Sequence, residues 1–114
     1  MAIETTTFGR LSEGTEAALF TLQAGGVTAH LTDYGAALVA WHVPDREGEA
    51  ADIVLGFDSP ADYESERNQV FGAIAGRVAN RIRDAQFTLS GKTHTLEANE
   101  NGHCLHGGSK RCFH

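Results

Sequence analysis

Alternation of apolar and polar residues is the pattern that most constrains how this chain can fold. Residues 18–22 place an apolar side chain at every second position, and residues 27–31 repeat the pattern after Gly25-Gly26. Successive side chains of a strand point to opposite faces of a sheet, so each segment predicts a half-buried strand and the glycines predict the turn. No long helical period is present anywhere, and the pattern therefore predicts antiparallel β-structure.

Further strands and one short helix are predicted downstream. Residues 36–43 carry apolar groups on both faces, as in an interior strand, and residues 44–48 supply turn chemistry. Residues 53–56 predict a short buried strand. Ser59 followed by Pro60 predicts a helix start, with the serine as N-cap and the proline at the first helical position.

A hairpin is predicted near the end of the chain. Residues 86–89 and 93–96 flank Ser90-Gly91-Lys92, which has the composition of a turn. Closely spaced strands separated by turn signals predict an all-β fold, specifically an antiparallel β-sandwich. No repeat, low-complexity tract or linker divides the chain, so we expect a single domain over residues 1–114.

The charge balance disfavours several classes of partner. Nine Lys and Arg oppose fifteen Asp and Glu, and the net charge of −6 repels nucleic-acid phosphates and anionic lipid. The first residues lack the basic and apolar regions of a signal peptide, and the longest apolar run, residues 36–41, is too short to span a bilayer. The sequence therefore predicts a cytoplasmic protein without nucleic-acid or membrane partners. Its oligomeric state is left open.

A cluster of polar side chains follows the apolar segment 71–75. It consists of Arg77, Asn80, Arg81 and Arg83. An amide that both donates and accepts, next to a guanidinium fork that can bond two neighbouring hydroxyls, suits a polyol ligand. The alternative is that the arginines pair with carboxylates on a solvated surface, and the pattern alone favours this second interpretation.

His106 is a second candidate for ligand contact. It precedes Gly107-Gly108, where the absence of side chains lets a ligand approach the backbone. An imidazole can donate or accept a hydrogen bond near neutral pH, so it could bond a hydroxyl or a ring oxygen. A histidine that merely sits in a glycine turn explains the same pattern, and the residues alone leave both interpretations open.

Metal and nucleotide sites find little support. Several soft or borderline metal ligands crowd the last part of the chain: His94, His103, Cys104, His106, Cys112 and His114. Their spacing matches no zinc motif, so no metal site is predicted. The glycines at 72 and 76 lack the residues of a phosphate loop or a dinucleotide fingerprint.

Colinear motifs from about residue 32 to 108 identify a family that the chain resembles, the aldose 1-epimerases (galactose mutarotases). The shared segments are Tyr34-Gly35-Ala36, Val43-Pro44-Asp45, Val54-Leu55-Gly56-Phe57-Asp58, Tyr63, Phe71-Gly72-Ala73, Gly76-Arg77-Val78-Ala79-Asn80-Arg81-Ile82, Phe87-Thr88-Leu89-Ser90-Gly91-Lys92 and Leu105-His106-Gly107-Gly108. The Gly-Arg-x-x-Asn-Arg segment followed by Asn99, Asn101 and Leu-His-Gly-Gly is the most specific part of this resemblance.

The resemblance implies a galactose mutarotase-like β-sandwich that interconverts α and β anomers of aldoses such as galactose and glucose without metal or organic cofactor. A carboxylate takes the anomeric proton while an acid protonates the ring oxygen, and the opened sugar rotates and closes on its other face. It also implies that Asn80, Arg81 and His106 bind the substrate. The acid histidine, a sugar-binding aspartate and the base glutamate of the family have no match in residues 1–114, so no catalytic residue is assigned.

Residues 109–114 diverge from the family after Gly108. This departure leads us to expect a truncated, N-terminal part of an epimerase sandwich with a divergent tail and little or no activity. The alternative from another class is a non-catalytic carbohydrate-binding or interaction module that uses the same three residues.

Overall fold

The computed structural model describes residues 1–75 and 77–109. The chain divides into an N-terminal unit, residues 1–74, and a C-terminal unit, residues 75–114, and each is described by itself. The N-terminal unit contains five strands and one helix: β1 (Ala2–Arg10), β2 (Glu16–Ala24), β3 (Val27–Thr32), β4 (Leu38–Pro44), β5 (Ala50–Asp52) and α1 (Pro60–Glu64). The C-terminal unit contains four short strands and a 3₁₀ turn: β6 (Arg81–Ile82), the turn Arg83–Ala85, β7 (Gln86–Leu89), β8 (Lys92–Thr95) and β9 (Cys104–Leu105).

The strands of the N-terminal unit form one sheet in the order β1-β2-β3-β4-β5. The predicted hairpin is confirmed, because β2 pairs with β3 from Leu19–Thr32 to Ala24–Val27 around the two-glycine turn. The predicted interior strand is also confirmed, since β4 lies between β3 and β5. Every pairing among the described strands is antiparallel, which confirms the antiparallel all-β fold class.

Strand β1 is one element that the sequence patterns did not predict. Its residues, Ala2–Arg10, pair with β2 in a register that shifts between Thr7 and Gly9. The run of threonines favours extended backbone, but most of the strand is exposed and therefore shows no apolar alternation. An exposed strand at the edge of a sheet therefore shows little alternation of apolar and polar residues in its sequence.

The core of the N-terminal unit forms around three buried residues, Ala37, Val39 and Tyr63, packed against partly buried apolar side chains. Tyr63 is 2% exposed, and its hydroxyl accepts a hydrogen bond from the backbone N–H of Phe57 at 3.2 Å. Gly72 is also essential to this packing: a Cβ there would overlap the carbonyl of Leu38, and its φ is +61°. Backbone therefore packs directly on backbone beside the core.

The predicted helix start is confirmed at α1. The hydroxyl of Ser59 accepts the N–H of Asp62 at 3.3 Å, and Pro60 occupies the first turn. The cap satisfies one of the N–H groups that have no partner within the helix. The local sequence therefore sets where the helix begins.

The prediction of a buried strand at residues 53–56 is wrong. Strand β5 ends at Asp52, and the next apolar side chains, Ile53 and Leu55, are 64% and 72% exposed. The carboxylate of Asp52 accepts the N–H of Trp41 at 2.8 Å and that of Val54 at 3.0 Å. The N–H of Ile53 still donates to the carbonyl of Trp41 at 3.0 Å, but the side-chain carboxylate takes the other two donors, and the strand does not continue.

The C-terminal unit holds two small antiparallel ladders. The predicted hairpin is confirmed as β7 and β8, paired from Gln86–Thr95 to Leu89–Lys92. The second ladder joins β6 to β9 through the pairs Arg81–Leu105 and Ile82–Cys104. Cys104 is 1% exposed and Ala85 3% exposed, so this unit buries little apolar surface among its described residues.

Two predictions about chain organisation stay predictions. They are the single domain over residues 1–114 and the divergent tail at 109–114, of which only Ser109 lies within the described residues. Within residues 1–75 and 77–109, no helix is long and apolar enough to cross a membrane.

Candidate functional site

The β6–β9 ladder brings the three predicted ligand-binding residues together. Asn80 precedes β6, Arg81 is its first residue, and His106 follows β9 directly. Arg81 pairs with Leu105 across the ladder, so the ends of the two strands meet at Asn80 and His106. Residues 26 positions apart in sequence thus become direct neighbours.

Asn80 and His106 hold each other through two hydrogen bonds. The backbone N–H of His106 donates to the carbonyl of Asn80 at 2.9 Å. In return, the backbone N–H of Asn80 donates to Nδ1 of the His106 ring at 3.0 Å. Because Nδ1 accepts, the proton of the neutral ring lies on Nε2, and the imidazole presents that nitrogen as a donor.

Both residues of this pair adopt left-handed backbone conformations. The φ of Asn80 is +60° and that of His106 is +51°. Such backbone is uncommon outside glycine, although asparagine and histidine adopt it more readily than other residues, and it clusters at functional sites. The paired hydrogen bonds compensate for the cost of both conformations, so the site is built as one unit.

Arg81 lies between Asn80 and a carboxylate. Its Nη1 donates to the side-chain oxygen of Asn80 at 2.9 Å, while Nε and Nη2 donate to the two oxygens of Glu100 at 2.5 and 2.7 Å. The hydrogen bonds to Glu100 raise the pKa of Arg81, and the same contact lowers the pKa of Glu100. Arg81 therefore forms the carboxylate pair that the surface interpretation predicts, and this pair also fixes the guanidinium beside Asn80.

Glu100 is the site residue that sequence reasoning missed. It lies 19 positions from Arg81 in a stretch whose composition indicates only a turn. Its backbone bonds that of His103 in both directions, at 3.1 and 2.7 Å, which closes the turn before β9. Only knowledge of the β6–β9 register would have placed this carboxylate beside Arg81.

Asn99 holds β9 in place. Its Nδ2 donates to the carbonyl of Leu105 at 3.0 Å, and its Oδ1 accepts the N–H of Leu105 at 2.7 Å. The side-chain amide thereby substitutes for a third strand at this position. Because Leu105 immediately precedes His106, the orientation of the histidine depends on this contact.

The glycines after His106 allow a close internal approach. The carboxylate of Glu97 accepts the backbone N–H of Ser109 at 2.7 Å and its hydroxyl at 2.8 Å. The backbone bond is the main reason that the pKa of Glu97 is lowered. A Cβ on Gly108 would lie 2.7 Å from this carboxylate, so one role of the glycine pair is to admit Glu97.

The remaining polar candidates are placed elsewhere in the C-terminal unit. Arg77 and Arg83 are exposed, and no hydrogen bond joins either side chain to the three predicted residues in the part of the chain that the structure describes. Nδ1 of His103 accepts the N–H of Asp84 at 3.0 Å. Across residues 1–75 and 77–109, no three His, Cys, Asp or Glu side chains group to hold a metal, and Cys112 and His114 lie outside those ranges.

The arrangement suits an uncharged ligand with several hydroxyl groups. Asn80 contributes an amide, Arg81 the N–H groups that Glu100 does not engage, and His106 the Nε2–H donor. Their hydrogen-bonding capacity is mixed, and the guanidinium charge is balanced by a carboxylate. These are properties of a hydroxyl-binding surface rather than of a phosphate-binding one.

Comparison with known proteins identifies the family. The family model described as aldose 1-epimerase matches residues 18–113. A probable aldose 1-epimerase of Arthroderma benhamiae is 43% identical over 80% of this chain and 22% of its own length. Galactose mutarotase of Bos taurus is 43% identical over 80% of this chain and 26% of its own length. The mouse galactose mutarotase is 38% identical over 95% of this chain and 32% of its own.

Solved structures are similar as well. Galactose 1-epimerase from Lactobacillus acidophilus superposes with a TM-score of 0.73 at 27% identity, over 100% of this chain and 32% of that one. An aldose epimerase homologue from Caenorhabditis elegans gives a TM-score of 0.70 at 35% identity, over 84% of this chain and 30% of that one. The chain thus spans about a fifth to a third of the length of these relatives.

Proposed function

The chain belongs to the aldose 1-epimerase family, and we propose that its Asn80, Arg81 and His106 form part of the aldose-binding surface of a mutarotase. The proposed reaction is exchange of the α and β anomers of aldohexoses such as galactose and glucose. The observation that carries the proposal is the hydrogen-bonded group of these three residues at the end of the β6–β9 ladder.

Each residue has a defined part in sugar binding. The amide of Asn80 donates to one hydroxyl and accepts from another, and the outer N–H groups of Arg81 bond a neighbouring hydroxyl. The Nε2–H of His106 donates to the ring oxygen or an adjacent hydroxyl and stabilises negative charge that develops when the ring opens. The charge of Arg81 is balanced by Glu100, so hydrogen bonding rather than net charge governs what the three side chains bind.

The proposed role of residues 1–114 on their own is binding without turnover. Anomer exchange needs a base at the anomeric hydroxyl and an acid at the ring oxygen, and positioned groups of this kind typically contribute about 10²–10⁴-fold each. No residue of the described chain matches the family's acid histidine or base glutamate. The carbohydrate-binding module that the sequence offers as its alternative predicts the same binding without turnover.

Nuclear magnetic resonance titration with D-galactose tests the binding proposal. We expect millimolar-range shifts of the Asn80, Arg81 and His106 signals, and we expect Asn80→Asp, Arg81→Gln and His106→Ala each to weaken binding about tenfold. Arg46→Gln is the matched control, since that side chain is 91% exposed and forms an ion pair with its neighbour Glu47. A galactose titration that moves none of the three signals would refute the site.

Polarimetry tests the second half of the proposal. Freshly dissolved α-D-galactose should relax at the rate of buffer alone when residues 1–114 are added at high concentration. A protein-dependent acceleration would show that the chain carries its own acid and base, and would contradict binding without turnover. The cytoplasmic location and the absence of nucleic-acid or membrane partners stay predictions.

A further inference from the structure

We propose that Glu100 is a positioning residue that fixes Arg81 and cancels its charge, so that the site favours uncharged aldoses over sugars that carry a phosphate or a carboxylate. The inference rests on the proposed function, because it concerns which sugars the same site accepts. It assigns a specificity role to a residue that lies outside the three predicted ligand contacts.

The geometry of the pair is the first support. Glu100 engages Nε and Nη2 of Arg81 with both of its oxygens, which is the two-point arrangement in which a guanidinium holds a carboxylate most firmly. A third bond runs from Nη1 to Asn80. Three of the five N–H groups of the guanidinium are thus occupied, and the Nε–Nη2 edge, one of the two edges that can bind an anion at two points, is already filled.

The rigidity of Glu100 is the second support. Its side chain is 28% exposed against 49% for Arg81, so the carboxylate is the better enclosed partner. Its backbone is fixed by the two bonds to His103 that close the turn. The Glu100 carboxylate therefore extends to Arg81 from a backbone position that the turn fixes, which favours the paired orientation of the guanidinium.

Charge is the third support. A solitary arginine attracts any anion, whereas an arginine paired at two points with a carboxylate presents little net charge, and an incoming phosphate also meets the carboxylate itself. A neutral hexose meets no such repulsion. The pair therefore discriminates by charge while it leaves hydroxyl binding intact.

Binding of three ligands by the full 114-residue chain tests the proposal. D-galactose, D-galactose 6-phosphate and D-galacturonate are titrated at pH 8, where the phosphate is fully ionised because its second pKa is about 6. Wild type should prefer galactose to both anions. Glu100→Gln, which keeps the size of the side chain and removes its charge, should shift that preference toward the anions by roughly tenfold.

Two further variants separate charge from positioning. Glu100→Asp keeps the charge but is too short to reach both nitrogens, so galactose should bind more weakly while the anions stay excluded. The Arg81 side-chain Nε–H signal should move in both Glu100 variants, which a remote structural effect would not cause. Glu47→Gln makes the same charge change at an exposed Arg46–Glu47 pair and should alter none of these measurements.

Salt dependence, compared between wild type and Glu100→Gln, provides a separate measurement. Raising NaCl from about 0.02 to about 0.3 M should improve binding of galactose 6-phosphate relative to galactose more in wild type than in the variant, because the negative charge of the whole chain repels the phosphate in both and Glu100 adds to it only in wild type. If the improvement is equal in the two proteins, Glu100 adds no repulsion, and the proposal is wrong.

The outcomes distinguish this inference from the proposed function. Galactose binding with an unchanged preference in Glu100→Gln overturns the role of Glu100 and leaves the sugar site standing. Failure of wild type to bind galactose overturns both. A tenfold shift toward the anions, together with a displaced Arg81 signal, supports both.

Discussion

The two units of the chain are stabilised in different ways. The N-terminal unit is a five-stranded sheet with buried apolar side chains, whereas the C-terminal unit relies on side chains that bond backbone, such as Asn99 on Leu105 and His106 on Asn80. Apolar burial tolerates loss of any one polar contact, but a ladder of two residue pairs does not. The part that carries the candidate site is therefore the part that the loss of one polar contact most easily disorders.

The largest expected effect is in the N-terminal unit and tests its backbone packing. Gly72→Ala should lower the free energy of unfolding by about 3 kcal/mol, because the new methyl group overlaps the Leu38 carbonyl and the residue needs a positive φ. Gly26→Ala is the matched control: its φ is +81°, but nothing lies within 4 Å of the new methyl group. We expect about 1 kcal/mol there. Equal losses in urea denaturation would refute the packing argument.

A smaller effect is expected from removing one side chain that bonds backbone, and it tests whether the two units respond differently. Asn99→Ala removes both bonds to Leu105, so hydrogen exchange at the Leu105 and His106 amides should accelerate roughly tenfold or more, while the β2–β3 hairpin keeps its protection. Asn68→Ala is the counterpart in the N-terminal unit, where the side chain bonds Tyr63 and Phe71 in the same donor-and-acceptor manner. There the neighbouring apolar core should limit the change to the Phe71 amide. Loss of protection in β2–β3 upon Asn99→Ala would contradict the contrast.

The smallest expected effect is a pH dependence confined to the C-terminal unit. Hydrogen bonds from Arg81 lower the pKa of Glu100 in the folded chain. The unfolded chain then binds more protons as acid is added, so the stabilising contribution of Glu100 is complete above the ordinary glutamate pKa and is lost as pH falls below it. The protection factor of the Leu105 amide, which corrects for the slower intrinsic exchange in acid, should fall below about pH 4.5 in wild type.

Glu100→Gln is the control for this pH dependence, since its side chain does not titrate. The remaining acid response of that variant should reflect Glu97, whose pKa is lowered by the Ser109 N–H. An identical pH profile in wild type and variant would show that the Arg81–Glu100 pair contributes nothing to the ladder.

The sequence predicts those elements whose structure depends on residues close together in the chain. The β2–β3 hairpin, the Ser59 cap and the β7–β8 hairpin depend on neighbouring residues, and all three were predicted. The segment after Asp52 was mispredicted because a side chain two residues away competes for its backbone donors. Apolar composition alone does not reveal that competition.

The candidate site also contains residues that the sequence predicts and residues that it does not. Asn80, Arg81 and His106 were predicted as ligand contacts because the family motif names them, and the structure brings them together, although their role in sugar binding stays a proposal. The sequence did not predict the ion pair of Glu100 or the hydrogen bonds of Asn99 to Leu105. Both depend on the register of a ladder that joins residues about twenty-four positions apart. Two-residue strands have no periodicity from which a register could be read.

The two hydrogen bonds between Asn80 and His106 have a consequence for redesign of the site. Each residue supplies a donor and an acceptor to the other, and both backbones are left-handed. Three of these four groups are backbone, and only the Nδ1 acceptor is lost when the His106 side chain is replaced. Because the two residues contact each other and both need left-handed backbone, substitutions at the two positions are expected to combine non-additively. A library that aims at a new ligand should vary positions 80 and 106 jointly, because a scan of single positions would discard the productive pairs.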